Sequence, residues 1–360
     1  MKHCVLIVFL GLFFGGCHST QPGAPQSPRD LETNSLVLKE IAHSSAPLGV
    51  FNCLAVSPDN QFVIAAGENP VVYGWELARG IEVPAGTFSG HHQAITSLAF
   101  SSDGSRIVSA SSDGQVIVWE TKTKKELGSF SISPLGITPT EKNTLEANGS
   151  LEVTSLQLAE KNTVVLAATA DGILHRWNLL NLNHQKRSFR VADEQVVMIL
   201  GPNNFIFSGR ENEIMVYDHV TGQQLYAIHH PFGGVNHIAF SKDGAQFCVA
   251  SGGRPDSDLS ELSLWETKTG RSIRTFSQKQ NPFLLSAFCP NNQYVLSADL
   301  IHQPVSGIIR LWETSTGKQL TQVQADSQEV RACVILNNGT HIVTAGVDGI
   351  VRLWTVQIPG

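Results

Sequence analysis

Six tryptophans, at positions 75, 119, 177, 265, 312 and 354, each close a short apolar run, and their spacing limits what this chain can fold into. The intervals are 44, 58, 88, 47 and 42 residues. Within the interval of 88 lies Glu213-Ile214-Met215-Val216-Tyr217-Asp218, the same run with Tyr217 in place of tryptophan, and it divides that interval into 40 and 48. Seven copies of one unit therefore follow one another. A period near 40 to 45 residues is that of a small sheet repeated in an array.

The best-preserved copy is Gly90 to Glu120. Ile95, Leu98 and Phe100 lie in one apolar run, Ile107 and Val108 in a second, and Val116-Ile117-Val118-Trp119 forms a third. Ser102-Asp103-Gly104 and Ser112-Asp113-Gly114 separate them, and Asp and Gly tolerate the φ angles of tight reversals. The stretch reads as strand, turn, strand, turn, strand of an antiparallel meander. Composition agrees, since hydrophobic residues make up 42%, charged residues 16%, and there are 31 glycines. The net charge of −6, with no basic run longer than Lys124-Lys125, gives nucleic acid nothing to bind.

These units resemble WD40 repeats. The resemblance rests on Gly90-His91 followed by SLAFSSDG, SASSDG and IVWE, on LAVSPDN (54–60) and IAFSKDG (238–244), and on ATADGILHRW (168–177) and TAGVDGIVRLW (344–354). It covers nearly all of residues 35–357, although Glu or Asn mostly replaces the Asp after the tryptophan and repeats 4 and 6 are eroded. It implies an all-β chain: a seven-bladed β-propeller of four-stranded antiparallel blades, closed by an N-terminal strand. Repeat 7 runs out of sequence after its third strand, and Ser35 to Glu40 has the alternation to supply the missing one. The resemblance also implies that His91, Ser109, Asp113 and Trp119 form a structural hydrogen-bond network.

A catalytic reading of His91, Ser109 and Asp113 is disfavoured by repetition. Asp171 and Asp348 stand six residues before a tryptophan just as Asp113 does, and chemistry needs one site, not several. His91-His92 and His229-His230 precede different repeats, and neither H-E-x-x-H nor C-x-x-C occurs, so no metal is expected. Alignment on Thr96 predicts a channel-facing ring of Asn52, Thr96, Thr154, Val197, Asn236, Leu284 and Arg331, which holds no carboxylate and no histidine. No enzyme activity and no cofactor are expected. Cys53, Cys248, Cys289 and Cys333 read as buried free thiols, with Cys53 and Cys333 the one pair in adjoining repeats.

The first residues are of another kind. Met1-Lys2-His3 precedes an uncharged run from Cys4 to Gly16, which is too short to span a bilayer and reads as an export signal. It ends in Phe14-Gly15-Gly16-Cys17, which resembles a bacterial lipobox with Phe in place of the usual Leu. That resemblance implies cleavage before Cys17 and lipid on it. The organisation is then a signal peptide at 1–16, a Pro-rich lipidated tether at 17–34 and the propeller at 35–357. By the same resemblance, His18 in place of an Asp implies, for a Gram-negative source, an outer-membrane anchor facing the periplasm.

Function in such a ring tends to sit where a unit is interrupted. Ser131 to Leu151 intervenes between repeats 2 and 3, while 252–258 in repeat 5 and 299–305 in repeat 6 are each five residues longer than their counterpart in repeat 2. The resemblance puts all three on one face. Arg254, Asp256, Asp258 and His302, with Arg331 beside them, are the candidate binding residues. The expected function is a lipid-anchored scaffold for other proteins of the cell envelope, touching the membrane through its lipid alone. The alternative is a propeller that binds or hydrolyses a small ligand at the rim of repeats 5 and 6.

Overall fold

The computed structural model describes residues 36–44, 48–132, 152–159, 162–179, 187–190, 197–201, 205–210, 213–230, 234–252, 260–279, 282–302, 305–326 and 328–357. Seven four-stranded antiparallel sheets form a seven-bladed β-propeller, with one turn of 3-10 helix at Leu77–Arg79. Blade 2 shows the plan: Ile95–Phe100, Arg106–Ser111, Gln115–Glu120 and Glu126–Ser131 pair in sequence order. Because neighbouring strands run antiparallel, the loops entering a blade and those joining its second and third strands share one face, here called upper.

Both faces of the second and third strands are apolar, and this is why the sheets must stack. In blade 2, Ile107 and Ile117 point into a layer shared with blade 1, while Val108 and Val118 point into one shared with blade 3. Seven such layers run round the ring, one for each pair of neighbouring blades. Tyr217 occupies the tryptophan position in the layer between blades 3 and 4. The eroded fourth repeat thus keeps an aromatic ring where the packing needs one.

Local chemistry sets the hairpins. In blade 2, Ser101 Oγ–H donates to Asp103 Oδ1 at 2.6 Å, Arg106 N–H donates to Ser101 Oγ at 2.9 Å, and Gly104 takes the positive φ of 70°. Blades 1, 3 and 6 carry Asn60, Asn162 and Asn292 at that positive-φ position. Each asparagine Oδ1 accepts an N–H from the turn of the preceding blade: Asn337 at 2.9 Å, Ser102 at 2.7 Å and Lys242 at 3.0 Å, respectively. One residue type satisfies the backbone twist and ties two blades together at the lower face.

The first strands carry a bulge at their second residue in blades 1, 2, 3, 5, 6 and 7. The extra residues are Asn52, Thr96, Thr154, Asn236, Leu284 and Arg331, six of the seven expected in the ring. Val197 is a correction. It pairs with Gly209 as Cys53 pairs with Ala66, so it stands one position beyond the bulge, and residue 196 lies outside the described residues. A second correction concerns repeat 6. Residues 299–305 were expected as a long turn, but Tyr294–His302 and Val305–Glu313 stay paired out to His302 and Val305. Leu300, Ile301 and Val305 favour continued pairing, so the insertion lengthens the paired part of the hairpin.

Closure follows the expected route with shifted bounds. Val37–His43 pairs antiparallel with Arg352–Gln357 and becomes the outer strand of blade 7, two residues later than Ser35 and extending past Glu40. Leu38, 6% exposed, packs in the layer between blades 6 and 7. Leu38→Ala is expected to lower stability by about 2–4 kcal/mol. Removal of residues 37–43 is expected to replace one cooperative thermal transition with a broad, early one, as followed by circular dichroism.

Candidate functional site

The network in blade 2 is built between strands. His91 precedes the first strand, Ser109 lies on the second and Trp119 on the third. His91 Nε2 and Ser109 Oγ are 2.6 Å apart, and Trp119 Nε1–H donates to the same Oγ at 2.8 Å. Asp113 sits apart from this contact. Its Oδ1 accepts from Ser111 Oγ–H and from Gln115 N–H, closing the upper turn, while His91 Nδ1 has no hydrogen-bond partner. Ser109 is 0% exposed and Trp119 2%, so no substrate reaches this serine. Burial pushes the His91 imidazole down to about 4 against the opposing pull of the Asp113 charge, and the ring is neutral near pH 7.

Other blades keep the tryptophan anchor in varied form. Trp312 Nε1–H donates to Ser297 and Trp354 Nε1–H to Thr344, both at 2.9 Å and both from the position of Ser109. In blade 5 Val249 fills that position, and Trp265 uses Ser263 on its own strand at 2.9 Å. In blade 1 Ala65 stands there and Trp75 Nε1 has no partner. The residue equivalent to His91 varies too. His230 packs over Trp265 in blade 5 with a ring separation of 5.8 Å and lies 4.0 Å from Glu261. In blade 7 the position belongs to Asp326.

The bulge residues reach between blades. Asn52 Nδ2–H donates to Ile95 O in blade 2 at 3.4 Å, and Asn236 Nδ2–H donates to Phe283 O in blade 6 at 2.9 Å. Arg331 Nη1–H donates to Asn52 Oδ1 at 2.9 Å, joining blade 7 to blade 1, while its Nε lies 3.7 Å from Glu329. Of the other candidate rim residues, Arg254, Asp256 and Asp258 lie outside the described residues, as does Cys17. His302 ends the second strand of blade 6, opposite Val305. Among the described residues no three His, Cys, Asp or Glu side chains are grouped to hold a metal. A cleft of about 440 Å³ opens at the lower side of blades 6 and 7, lined in part by Leu36, Tyr294 and Asn338.

Cys53, Cys248, Cys289 and Cys333 are free. Cys53 packs in the layer between blades 1 and 2 and Cys333 in that between blades 6 and 7, so the adjoining pair is not joined. Burial pushes the thiols of Cys289 and Cys333 up to about 12, and those of Cys53 and Cys248 also well above the usual range, which leaves them unreactive. Sequence reasoning missed His237, which faces Ser286 of blade 6 across the blade boundary at 3.5 Å. It also missed Asp299 and Arg310, a buried pair in blade 6 with Arg310 Nε–H donating to Asp299 Oδ1 at 2.9 Å. A histidine or a charged residue inside an apolar strand was the available signal in each case.

His91, His230 and His237 share a consequence. Burial lowers each to about 4, against 6.5 for a free imidazole. The unfolded chain therefore binds more protons between those values, so their contribution is complete above pH 6.5 and is lost as pH falls towards 4. Each is worth on the order of 2–3 kcal/mol across that window. Denaturant melts at pH 4.5 and 7 should show the drop, and His237→Leu, the residue type at the matching position of blade 6, should remove about a third of it.

Comparison with known proteins adds independent support for the repeat. The family model of the WD domain, G-beta repeat, matches residues 35–76, 82–120 and 317–355. Over 115 residues the chain is 31% identical to the target of rapamycin complex subunit wat1 of Schizosaccharomyces pombe, covering 31% of this chain and 36% of that protein. It is 22% identical over 392 aligned residues to the human angio-associated migratory cell protein, covering 94% of this chain and 82% of that one. It is 23% identical over 266 residues to the WD repeat-containing protein srw1 of S. pombe, covering 72% and 43%.

Proposed function

We propose that this chain, with WD40 repeats on a propeller of the kind typical of protein-interaction scaffolds, is an exported, lipid-anchored scaffold that holds partner proteins at the cell envelope. One observation carries the interaction half of this reading. The polar residues that recur from blade to blade are spent inside the wall: Ser109, Ser297 and Thr344 are each 1% exposed or less and anchor tryptophans. What differs between blades is concentrated in the lengths of the connections between Ile132 and Glu152 and between Gly252 and Ser260, whose described ends are at the upper face, and in the long hairpin of blade 6. A relative whose name makes it the subunit of a complex accords with this reading. The anchor half rests on Phe14-Gly15-Gly16-Cys17 at the end of an uncharged run and on the Pro-rich stretch that follows.

Metabolic labelling with a fatty-acid analogue is expected to mark the wild type and not Cys17→Ala, and Cys17→Ala is expected to leave the membrane fraction. Equal labelling of both would remove the anchor. Co-purification tests the scaffold separately, since partners recovered by crosslinking in intact cells should depend on the upper rim. The alternative, a small ligand held at blades 5 and 6, would use the same hairpin. Shortening the hairpin by removing the two pairs 301–302 and 305–306, which leaves two residues to join Leu300 to its partner Gly307, should leave the melting temperature within about 3 °C. The same change should cut partner recovery several-fold if the rim is the contact, and leave it unchanged if it is not.

A further inference from the structure

Blade 7 replaces the His91 and Asp113 positions with two carboxyl groups. Asp326 stands four residues before the first strand, as His91 does, and Asp348 six before Trp354, as Asp113 does before Trp119. Asp326 is 3% exposed. Its Oδ1 accepts Gln328 N–H at 2.7 Å, while its Oδ2 has no hydrogen-bond donor and fills the space above Gly346, where a Cβ would stand 2.5 Å from it. Gly346 stands two residues before Asp348, and the Asp348 carboxyl is the charged group beside Asp326 at this turn. Asp348 lies 2.7 Å from Arg352 Nη2 and accepts Ile350 N–H at 3.0 Å. Arg352 pairs in register with His43 of the closing strand and holds its Nε 3.7 Å from Glu40, which lies 2.7 Å from His43 Nδ1. A chain of charges thus runs from the upper loop of blade 7 to the strand that closes the ring.

We propose that Asp326 and Asp348 share a proton that acts as a pH-sensitive latch on ring closure. With the proton in place, Asp326 donates to Asp348, which holds Arg352 and leaves its Nε towards Glu40. When the proton leaves to solvent, two buried anions repel each other and compete for Arg352, which is drawn from Glu40, and the closing strand loosens. Glu329 before the first strand, Arg331 and Cys333 on it, His341 on the second, Arg352 on the third, and Lys39, Glu40 and His43 on the closing strand are the other ionisable groups of blade 7. Burial first, and then the neighbouring Asp348 charge, raise Asp326 to about 6, while Asp348 stays low because the Arg352 and Ile350 hydrogen bonds outweigh its own burial. The sign is opposite to that of the histidines. A carboxyl raised in the folded state stabilises below its ordinary value near 3.8, and that contribution is lost as pH rises to about 6.

Because the histidines slope the other way, the test is a difference between variants of the full chain. Asp326→Asn keeps the shape, lacks the charge, and can still donate to Asp348. Its melting temperature relative to wild type is expected to rise by about 4 °C between pH 4.5 and pH 7.5. Hydrogen exchange read on the peptide spanning 37–43, corrected for intrinsic rate, is expected to speed up with pH in the wild type by up to about 100-fold and to be flat in the variant. A wild-type closing strand whose protection ignores pH, or a variant with the wild-type pH response, overturns the latch. If Asp326→Asn does not fold, Asp348→Asn removes the repulsion from the other side, and a pH response that survives it is equally fatal.

Discussion

The contact on which everything else rests is the apolar layer between one blade and the next. A four-stranded sheet with both faces apolar has no soluble form by itself, and stacking seven in a ring gives each face a partner. The aromatic ring at the end of the third strand is the largest group in that contact. Burying 150–250 Å² is worth about 4–6 kcal/mol at about 25 cal/mol/Å², as an upper bound. A hydrogen bond from its indole N–H adds only about 1 kcal/mol. That ordering explains the tolerance seen round the ring. Trp75 keeps its layer with no partner for Nε1, and Tyr217 keeps another with no indole.

A ring of this kind has one seam, and here it is sealed at three levels. The closing strand pairs with the third strand of blade 7 along the backbone, and Leu38 enters the apolar layer behind it. At the upper face Arg331 reaches Asn52, and at the lower face Asn337 N–H is taken by Asn60. Both polar links join blade 7 to blade 1, residues 279 and 277 apart in sequence. Contacts so distant along the chain recover little until the ring is nearly complete. This makes the closing blade the place where small electrostatic changes are felt by the whole.

Much of this was legible because it repeats. The tryptophan spacing gave the number of blades, and the run from Ser35 to Glu40 pointed to the closing strand within a few residues. The resemblance marked His91, Ser109, Asp113 and Trp119 as one network, and the contact joins His91, Ser109 and Trp119 while Asp113 closes the turn. What escaped was set by register and geometry. Val197 was placed by spacing, but it pairs with Gly209 as Cys53 pairs with Ala66, one position past the residue that bulges in the other blades, and one residue of slip changes which side chain faces the channel. The hairpin of blade 6 was read as a turn because its extra residues were counted and not weighed, although Leu300, Ile301 and Val305 are strand formers. Asn60, Asn162 and Asn292 stand where blade 2 has Gly104, and only the neighbouring blade shows what their side chains are for.

The same comparison separates two kinds of departure from the repeat. In a surface loop a change of length costs little, about 0.6 kcal/mol for each doubling, and such positions are free to follow a partner. At the position of His91 a departure is made inside the wall, where His230 faces Glu261 and Asp326 faces Asp348. A buried ionisable group there carries a desolvation cost of several kcal/mol unless a neighbour offsets it, whereas an apolar residue would carry none. Blade 7 offsets the cost with Arg352 and, through it, with the closing strand. The substitution that departs furthest from the repeat is therefore also wired to the seam, and the charge state of one carboxyl is coupled to the integrity of the ring.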